Sequence, residues 1–133
     1  MNEEKINETE LSIPIERSIQ AEFLLLLGQK PTHGYELIQR LNESDFKSGE
    51  ADAATVYRNL RRMDKDGIIK SQWEVGESGP GRRLYKLTTL GEESLKLWAK
   101  YIAQQKTKLE NFLLAYFQFE ESLPEREDEV NLT

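Results

Sequence analysis

A repeat of apolar residues in the C-terminal third of the chain places the strongest limit on what it can fold into. Positions 95, 98, 102, 105, 109, 112, 116 and 119 follow one another in alternating steps of three and four. All of these positions except Gln105 hold apolar or aromatic residues: Leu95, Trp98, Ile102, Leu109, Phe112, Tyr116 and Phe119. This is the heptad spacing with which one helix packs against another. It predicts a single long helix with an apolar seam.

The length of this helix predicts a partner subunit. A straight helix over positions 89–119 would be roughly 45 Å long. The chain has 133 residues, enough for one domain with a modest core but too few to cover such a helix. We therefore expect a homodimer that buries the seven apolar seam residues between its two chains.

The scarcity of reactive side chains excludes several classes of protein. The chain contains no cysteine, which removes disulfide frameworks and thiolate metal sites. Its single histidine, His33, cannot assemble a metal site alone, so we expect a structural role there, with Gly34 allowing a close helix approach and Tyr35 packing its ring into the core. No phosphate-binding glycine loop and no nucleophile elbow is present. The sequence thus argues against an enzyme, a metal site and a cofactor.

The N-terminal segment and the apolar runs bear on the cellular location. The first ten residues, "MNEEKINETE", have neither a basic region nor an apolar core, so they do not resemble a secretory signal. The longest apolar run, "FLLLL", is too short to span a bilayer. We expect a cytoplasmic protein without membrane contact.

Three helical segments are predicted before the long helix. The first covers about residues 16–28, and the second has Thr32 as its N-cap. The third begins near Asp52 or Ala53 and ends at Gly67.

A hairpin is predicted after the third helix. "IIKSQWEV" alternates as a strand in which Trp73 would be half-buried, "GESGPG" forms a turn, and "RRLYKLT" returns as a second strand. The predicted fold class is mainly α with a small two-stranded β-wing, a winged helix-turn-helix followed by a long C-terminal dimerisation helix. The predicted domains are a flexible segment at 1–14, a winged helix-turn-helix domain at 15–88, the dimerisation helix at 89–121 and an acidic tail at 122–133.

The third helix separates apolar from cationic residues. At 100° per residue, Val56, Leu60 and Met63 fall on one narrow stripe. Acids are nearly absent from the opposite side, with Asp64 and Asp66 at its edges, and that side holds four cations: Arg58, Arg61, Arg62 and Lys65.

Charge is unevenly distributed along the chain. Residues 55–86 contain eight Lys or Arg and four Asp or Glu, a net charge of +4, whereas the whole chain carries −6. A winged helix-turn-helix protein inserts the second helix of its motif into the DNA major groove. The charge therefore indicates double-stranded DNA as the partner.

Three stretches of this sequence resemble the PadR family of bacterial winged-helix transcription regulators: "HGYELIQRL", "ATVYRNLRRMDKDGIIKSQW" and "GRRLYKLTTLGEESL". The resemblance runs from about residue 17 to residue 101. It implies a homodimer that binds a palindromic operator, usually as a repressor, and that is released in some members by phenolic or multidrug-like ligands. It also implies that Thr55, Tyr57 and Arg58 face DNA and that Arg82 and Arg83 belong to the wing. The family often has Gly-Thr-Leu-Tyr-Pro where this chain has "ATVYR", so Arg58 replaces proline and adds a guanine-reading side chain.

The predicted DNA-binding residues divide by role. Thr55, Arg58, Asn59 and Arg62 would enter the major groove, and Lys65, Arg82, Arg83 and Lys86 would contact phosphates. The complete predicted set also contains Tyr57 and Arg61. Two of its members have a second interpretation, since Tyr57 borders the core and would pack there, and Asn59 could be a solvated flank instead of an adenine reader.

A ligand site is predicted on the long helix. Trp98, Tyr101 and Ile102 would form a slot for a flat, small aromatic effector, or else belong to the core and the dimer seam. Two other functions stay open at this point. One is a winged-helix module that binds a protein and has lost DNA binding, and the other is a small-molecule binding protein.

Overall fold

A computed structural model describes residues 15–76 and 81–125. The predicted flexible segment at 1–14, the middle of the predicted hairpin turn and most of the predicted acidic tail lie outside these residues. The elements in chain order are α1 (Ile15–Gln29), β1 (Thr32–His33), α2 (Gly34–Glu43), α3 (Ala53–Lys65), β2 (Ile69–Glu74), β3 (Arg82–Leu87) and α4 (Thr89–Ser122).

The core lies between the first three helices and the sheet. Helices α2 and α3 each contribute one apolar stripe, because their apolar residues recur at intervals of three and four, whereas α1 is buried on nearly every side between Ala21 and Leu27. The largest buried side chains are those of Ile19, Phe23, Leu24, Leu27, Leu37, Leu41, Val56, Leu60, Met63 and Ile69. Packing on this stripe fixes the rotation of α3, and with it the side that α3 presents to solvent.

Both ends of α3 follow from its sequence. The Asp52 carboxylate accepts a hydrogen bond from the Thr55 backbone N–H at 2.8 Å, which satisfies one of the free donors of the first turn. The same bond lowers the pKa of Asp52. Gly67, with φ of +80°, takes the left-handed conformation that ends the segment. The predicted limits of this helix are confirmed.

The start of α2 differs from the prediction. Thr32 belongs to β1, and His33 is the N-cap residue. The Thr32 side chain is 1% exposed, and its hydroxyl donates to the Lys30 carbonyl at 2.9 Å. This hydroxyl is therefore already used within the preceding turn and does not cap α2.

The sheet has three antiparallel strands in the order β1–β3–β2, one more than the two-stranded wing predicted from the sequence. Strand β1 pairs Thr32 with Tyr85 and His33 with Leu84. It was missed because two residues are too short for any alternation to appear.

The start of α4 is fixed by local contacts. The Thr88 hydroxyl accepts a hydrogen bond from the Gly91 N–H at 3.0 Å, which caps the first turn of α4. Gly91 lies against the Ile68 carbonyl, which leaves no space for a Cβ. Farther along, Leu95 and Trp98 pack on the core of the N-terminal unit.

The described residues form two compact units, one ending at Trp98 and the other beginning at Ala99. The predicted domain limits at residues 88 and 121 stay predictions. None of the helices in the described part of the chain combines the length and apolar composition that crossing a bilayer requires.

Candidate nucleic-acid interface

The exposed side of α3 carries the predicted cations. Val56, Leu60 and Met63 are at most 1% exposed, which confirms the apolar stripe. Arg58, Arg61, Arg62 and Lys65 are all exposed. Because the apolar stripe is held in the core, these four side chains point toward solvent as a group.

Three of the α3 cations are not neutralised by neighbouring acids. Among the residues that the structure describes, no carboxylate oxygen lies within 4.0 Å of Arg61, Arg62 or Lys65. Surface cations without carboxylate partners attract a polyanion strongly, since no intramolecular pair has to be broken first.

Asn59 does not belong to this exposed surface. Its side chain is 5% exposed, and its Nδ2 donates to the Thr55 carbonyl at 2.8 Å. A helix brings positions i and i+4 onto the same side, so this buried amide bonds to its own backbone. The amide is turned inward, away from any base edge, and we leave Asn59 out of the proposed interface.

Tyr57 packs against the start of α2. A Cβ added at Gly34 would lie 2.6 Å from the Tyr57 ring, so glycine is required for this approach. The Tyr57 ring is partly buried and contacts the core. Of the two interpretations of Tyr57, its surroundings favour packing. The close helix approach that was expected at Gly34 is present.

Tyr35 lies outside the core, contrary to the prediction that its ring packs there. Its side chain is 49% exposed at the beginning of α2. The Arg82 guanidinium lies 5.9 Å from the centre of the Tyr35 ring and donates to its hydroxyl at 3.4 Å. The Tyr35 ring thus packs against a wing arginine, while the Tyr57 ring is the one that fills the space beside Gly34.

The wing cations are divided between the two faces of the sheet. Successive strand residues point to opposite faces, so Arg83 shares a face with Tyr85, while Arg82 and Lys86 share the other. The register places Lys86 opposite Lys70 on that second face. The sequence grouped the three cations together, whereas only Arg83 lies on the face with the buried Tyr85 ring.

Arg83 is connected to α3 through the sheet. Its Nη1 donates to the Ser71 hydroxyl at 2.8 Å, and that hydroxyl donates to Asp64 at 2.8 Å. Trp73 lies beside the same guanidinium, 5.1 Å from ring centre to Cζ, and is 61% exposed instead of half-buried as predicted. Sequence reasoning missed Ser71, although strand alternation places Ser71 and Trp73 on one face.

His33 joins α2 to the wing. Its Nδ1 lies 3.0 Å from a Glu36 oxygen, and its Nε2 lies 2.8 Å from a Glu74 oxygen. The hydrogen bond from His33 lowers the pKa of Glu36. The two carboxylates reach opposite sides of the ring and do not converge on one point, so this histidine acts as a structural bridge.

The predicted seam on α4 is exposed along much of its length. Within the C-terminal unit, Ile102, Leu109, Phe112, Tyr116 and Phe119 are between 43% and 67% exposed. Of the three predicted ligand-binding residues, Trp98 and Tyr101 are half-buried and Ile102 is 52% exposed.

Comparison with known proteins identifies the family. The sequence profile of the Transcriptional regulator PadR-like family matches residues 23–97, which span the helices α2 and α3 and the whole wing. The chain belongs to the PadR-like family. Its members are transcription regulators and not enzymes, in agreement with the sequence prediction.

Solved structures of PadR proteins share this fold. A PadR-like transcription factor from Bacteroides fragilis is 25% identical in sequence and matches with a TM-score of 0.65. The match covers 73% of this chain and 91% of that one. A PadR family transcription regulator from Clostridium difficile R20291 is 28% identical, with a TM-score of 0.62 and coverage of 71% and 97%. Bacillus subtilis PadR in complex with operator DNA is 22% identical, with a TM-score of 0.57 and coverage of 62% and 46%, a likeness of fold alone. These matches confirm the predicted winged-helix class.

Proposed function

We propose that this PadR-like protein binds a palindromic operator in double-stranded DNA as a homodimer and represses transcription. The observation that carries the proposal is the cationic side of α3, whose apolar stripe is locked in the core. A helix with this arrangement fits the second helix of a helix-turn-helix motif, which lies in the major groove. Bacillus subtilis PadR, which has the same fold, has been solved in complex with operator DNA, and this supports DNA as the partner.

The residues of α3 take different roles in the proposed complex. Thr55 and Arg58 lie in the N-terminal half of the helix, which meets base edges in this mode of docking. Arg58 and Arg62 supply guanidinium groups of the kind that read guanine. Arg61 and Lys65 supply charge for the phosphate backbone.

The wing contributes unequally. Arg83 shares a face with the residues linked to α3, so we assign it a phosphate contact beside that helix. Arg82 and Lys86 would meet the same duplex only from the other face of the hairpin. We expect their replacement to weaken binding less than replacement of Arg83.

The apolar side chains that α4 exposes support a homodimer. A stable chain does not leave a row of large apolar residues in water, since each contributes about 1.5 to 3 kcal/mol when it is buried. Pairing of two α4 helices along the seam would bury this row and would present α3 twice. Two copies of α3 about one DNA turn apart read a palindrome.

An effector site on α4 is the last part of the proposal. Trp98 and Tyr101 offer aromatic faces on which a flat ligand would stack, and Ile102 adds an apolar contact. We propose that a small aromatic molecule bound there releases the operator.

A binding-site selection with randomised duplexes tests the function. We expect enriched sequences with two inverted half-sites spaced by about one turn of DNA. Enrichment of a single half-site would contradict the homodimer but keep DNA binding. No enrichment at all would favour the rival function, a winged-helix module that binds a protein.

A further inference from the structure

We propose that Ser71 is a positioning residue that fixes Arg83 of the wing against α3, so that both elements engage one duplex at a set spacing. The inference rests on the proposed function, because it concerns how the DNA-binding surface is assembled. Its structural basis is one hydroxyl that joins the side chains of Asp64 and Arg83.

The direction of each hydrogen bond in this relay is determined by its chemistry. An ionised carboxylate only accepts, and a guanidinium only donates. Ser71 must therefore give its single proton to Asp64 and accept from Arg83 through a lone pair, with both bonds at 2.8 Å. Each bond has a charged group at one end, which makes it stronger than a bond between neutral groups.

Trp73 restrains the same guanidinium from another direction. Its ring centre lies 5.1 Å from the Arg83 Cζ, within the range of a cation–π contact. Ser71 and Trp73 are two residues apart on β2, and Trp73 is the cross-strand partner of Arg83. Arg83 is thus held by one hydrogen bond and one ring contact, whereas an unrestrained arginine would lose side-chain freedom on binding.

The relay crosses between two elements that the proposed function needs together. Asp64 lies in the last turns of α3, close to Lys65, and Ser71 lies in the first half of β2. The structure therefore sets the distance between the helix cations and the wing cation before DNA arrives. Removal of the Ser71 hydroxyl would leave every charged side chain in the protein and would remove only the restraint on the position of Arg83.

The test compares Ser71→Ala with Ser71→Thr and Arg83→Ala in operator binding over a series of salt concentrations. We expect Ser71→Ala to weaken binding about threefold to tenfold, the effect of one hydrogen bond, without changing the salt slope. Arg83→Ala should lower the slope by about one unit, since it removes one phosphate contact. Ser71→Thr keeps the hydroxyl and should bind nearly as the unchanged protein does.

The double variant separates positioning from a merely structural role. If Ser71 acts through Arg83, Ser71→Ala should weaken binding no further once Arg83 is alanine. Additive effects, or an unchanged affinity of Ser71→Ala beside a weakened Arg83→Ala, would overturn the inference and leave DNA binding intact.

A measurement without DNA keeps the inference testable if no duplex binds. In a Trp98→Phe background the only tryptophan is Trp73, whose ring is partly covered by Arg83. Ser71→Ala should raise acrylamide quenching of this tryptophan toward the value of Arg83→Ala. Quenching that Ser71→Ala leaves unchanged would overturn the relay, whatever the outcome of DNA binding.

Discussion

Helix α3 and the C-terminal part of α4 are both open to solvent, but they expose opposite kinds of side chain. In α3 the apolar stripe is buried and the cations are exposed. In α4 beyond Ala99 the large apolar side chains are the exposed ones, among them Leu109 and Phe112. The comparison indicates different partners, since exposed cations suit a polyanion and exposed apolar residues suit another protein surface. Four changes would sharpen or break this comparison.

The largest effect is expected from a charge in the α4 seam. Leu109→Glu should weaken dimerisation at least about 100-fold, because association would desolvate an unpaired carboxylate. Sedimentation over a range of concentrations measures this change. Gln104→Glu, on the other side of the helix, is the control and should leave the dimer intact. A monomeric wild-type protein at every concentration would contradict the role assigned to α4.

Shortening a side chain in the buried apolar stripe of α3 should destabilise each chain by itself, independently of dimerisation. Leu60→Ala should lower the free energy of unfolding by about 2 to 5 kcal/mol, the cost of a core cavity. Urea unfolding at two protein concentrations measures it, and the decrease should be equal at both if the stripe serves only its own domain. Leu97→Ala, at a residue 68% exposed, should change the free energy of unfolding by no more than about 0.5 kcal/mol.

The contact between α2 and α3 offers an intermediate effect. Gly34→Ala should cost about 1 to 3 kcal/mol of unfolding free energy, because the added methyl would press on the Tyr57 ring. Operator affinity should fall with it, since Tyr57 is part of α3. Gln39→Ala, on the exposed side of α2, is the control. Full stability of Gly34→Ala would show that the ring moves aside at no cost.

The smallest effect concerns a buried carboxylate in α1. Glu22 is 9% exposed, and its Oε1 has no hydrogen-bond partner among the described residues. Burial raises the pKa of this carboxyl above the ordinary 4.5. Hydrogen bonds from Ser48 to the carboxylate act in the opposite direction but are the smaller effect. As pH rises above 4.5, the unfolded chain loses the Glu22 proton before the folded chain does. The free energy of unfolding that the protonated carboxyl contributes at lower pH is therefore lost. Glu22→Gln should remove this pH dependence and raise the free energy of unfolding at neutral pH by about 1 kcal/mol. Unchanged or lower stability in chemical unfolding at pH 7 would contradict the assignment.

Periodicity carried most of the prediction of the fold. The apolar stripe of α3 and the extent of α4 follow from spacings of three and four, because a helix repeats every 3.6 residues. The limits of α3 follow from Asp52 and Gly67, whose preferences are local. The family resemblance, carried by motifs in the same stretch, is confirmed by the profile match.

Contacts between elements could not be predicted in the same way. The strand β1 exists only because Thr32 and His33 meet β3, and no local pattern marks so short a strand. The burial of Asn59 and the exposure of Tyr35 are likewise properties of the folded chain that helical spacing alone does not give. The placement of Arg82 and Arg83 on opposite faces could be predicted from the sequence, since neighbouring strand residues point to opposite faces. The relay through Ser71 could not, because it depends on the register of β2 on β3.

The most direct test of the central claim is the salt dependence of duplex binding by the unchanged protein, by Arg61→Ala with Arg62→Ala, and by the control Lys106→Ala on α4. We predict that the logarithm of affinity falls linearly with the logarithm of salt concentration. The double variant should lower the slope by about 0.9 for each phosphate that it no longer neutralises, while the control keeps the slope of the unchanged protein. An unchanged slope and affinity in the double variant would contradict the claim that the cationic side of α3 binds DNA.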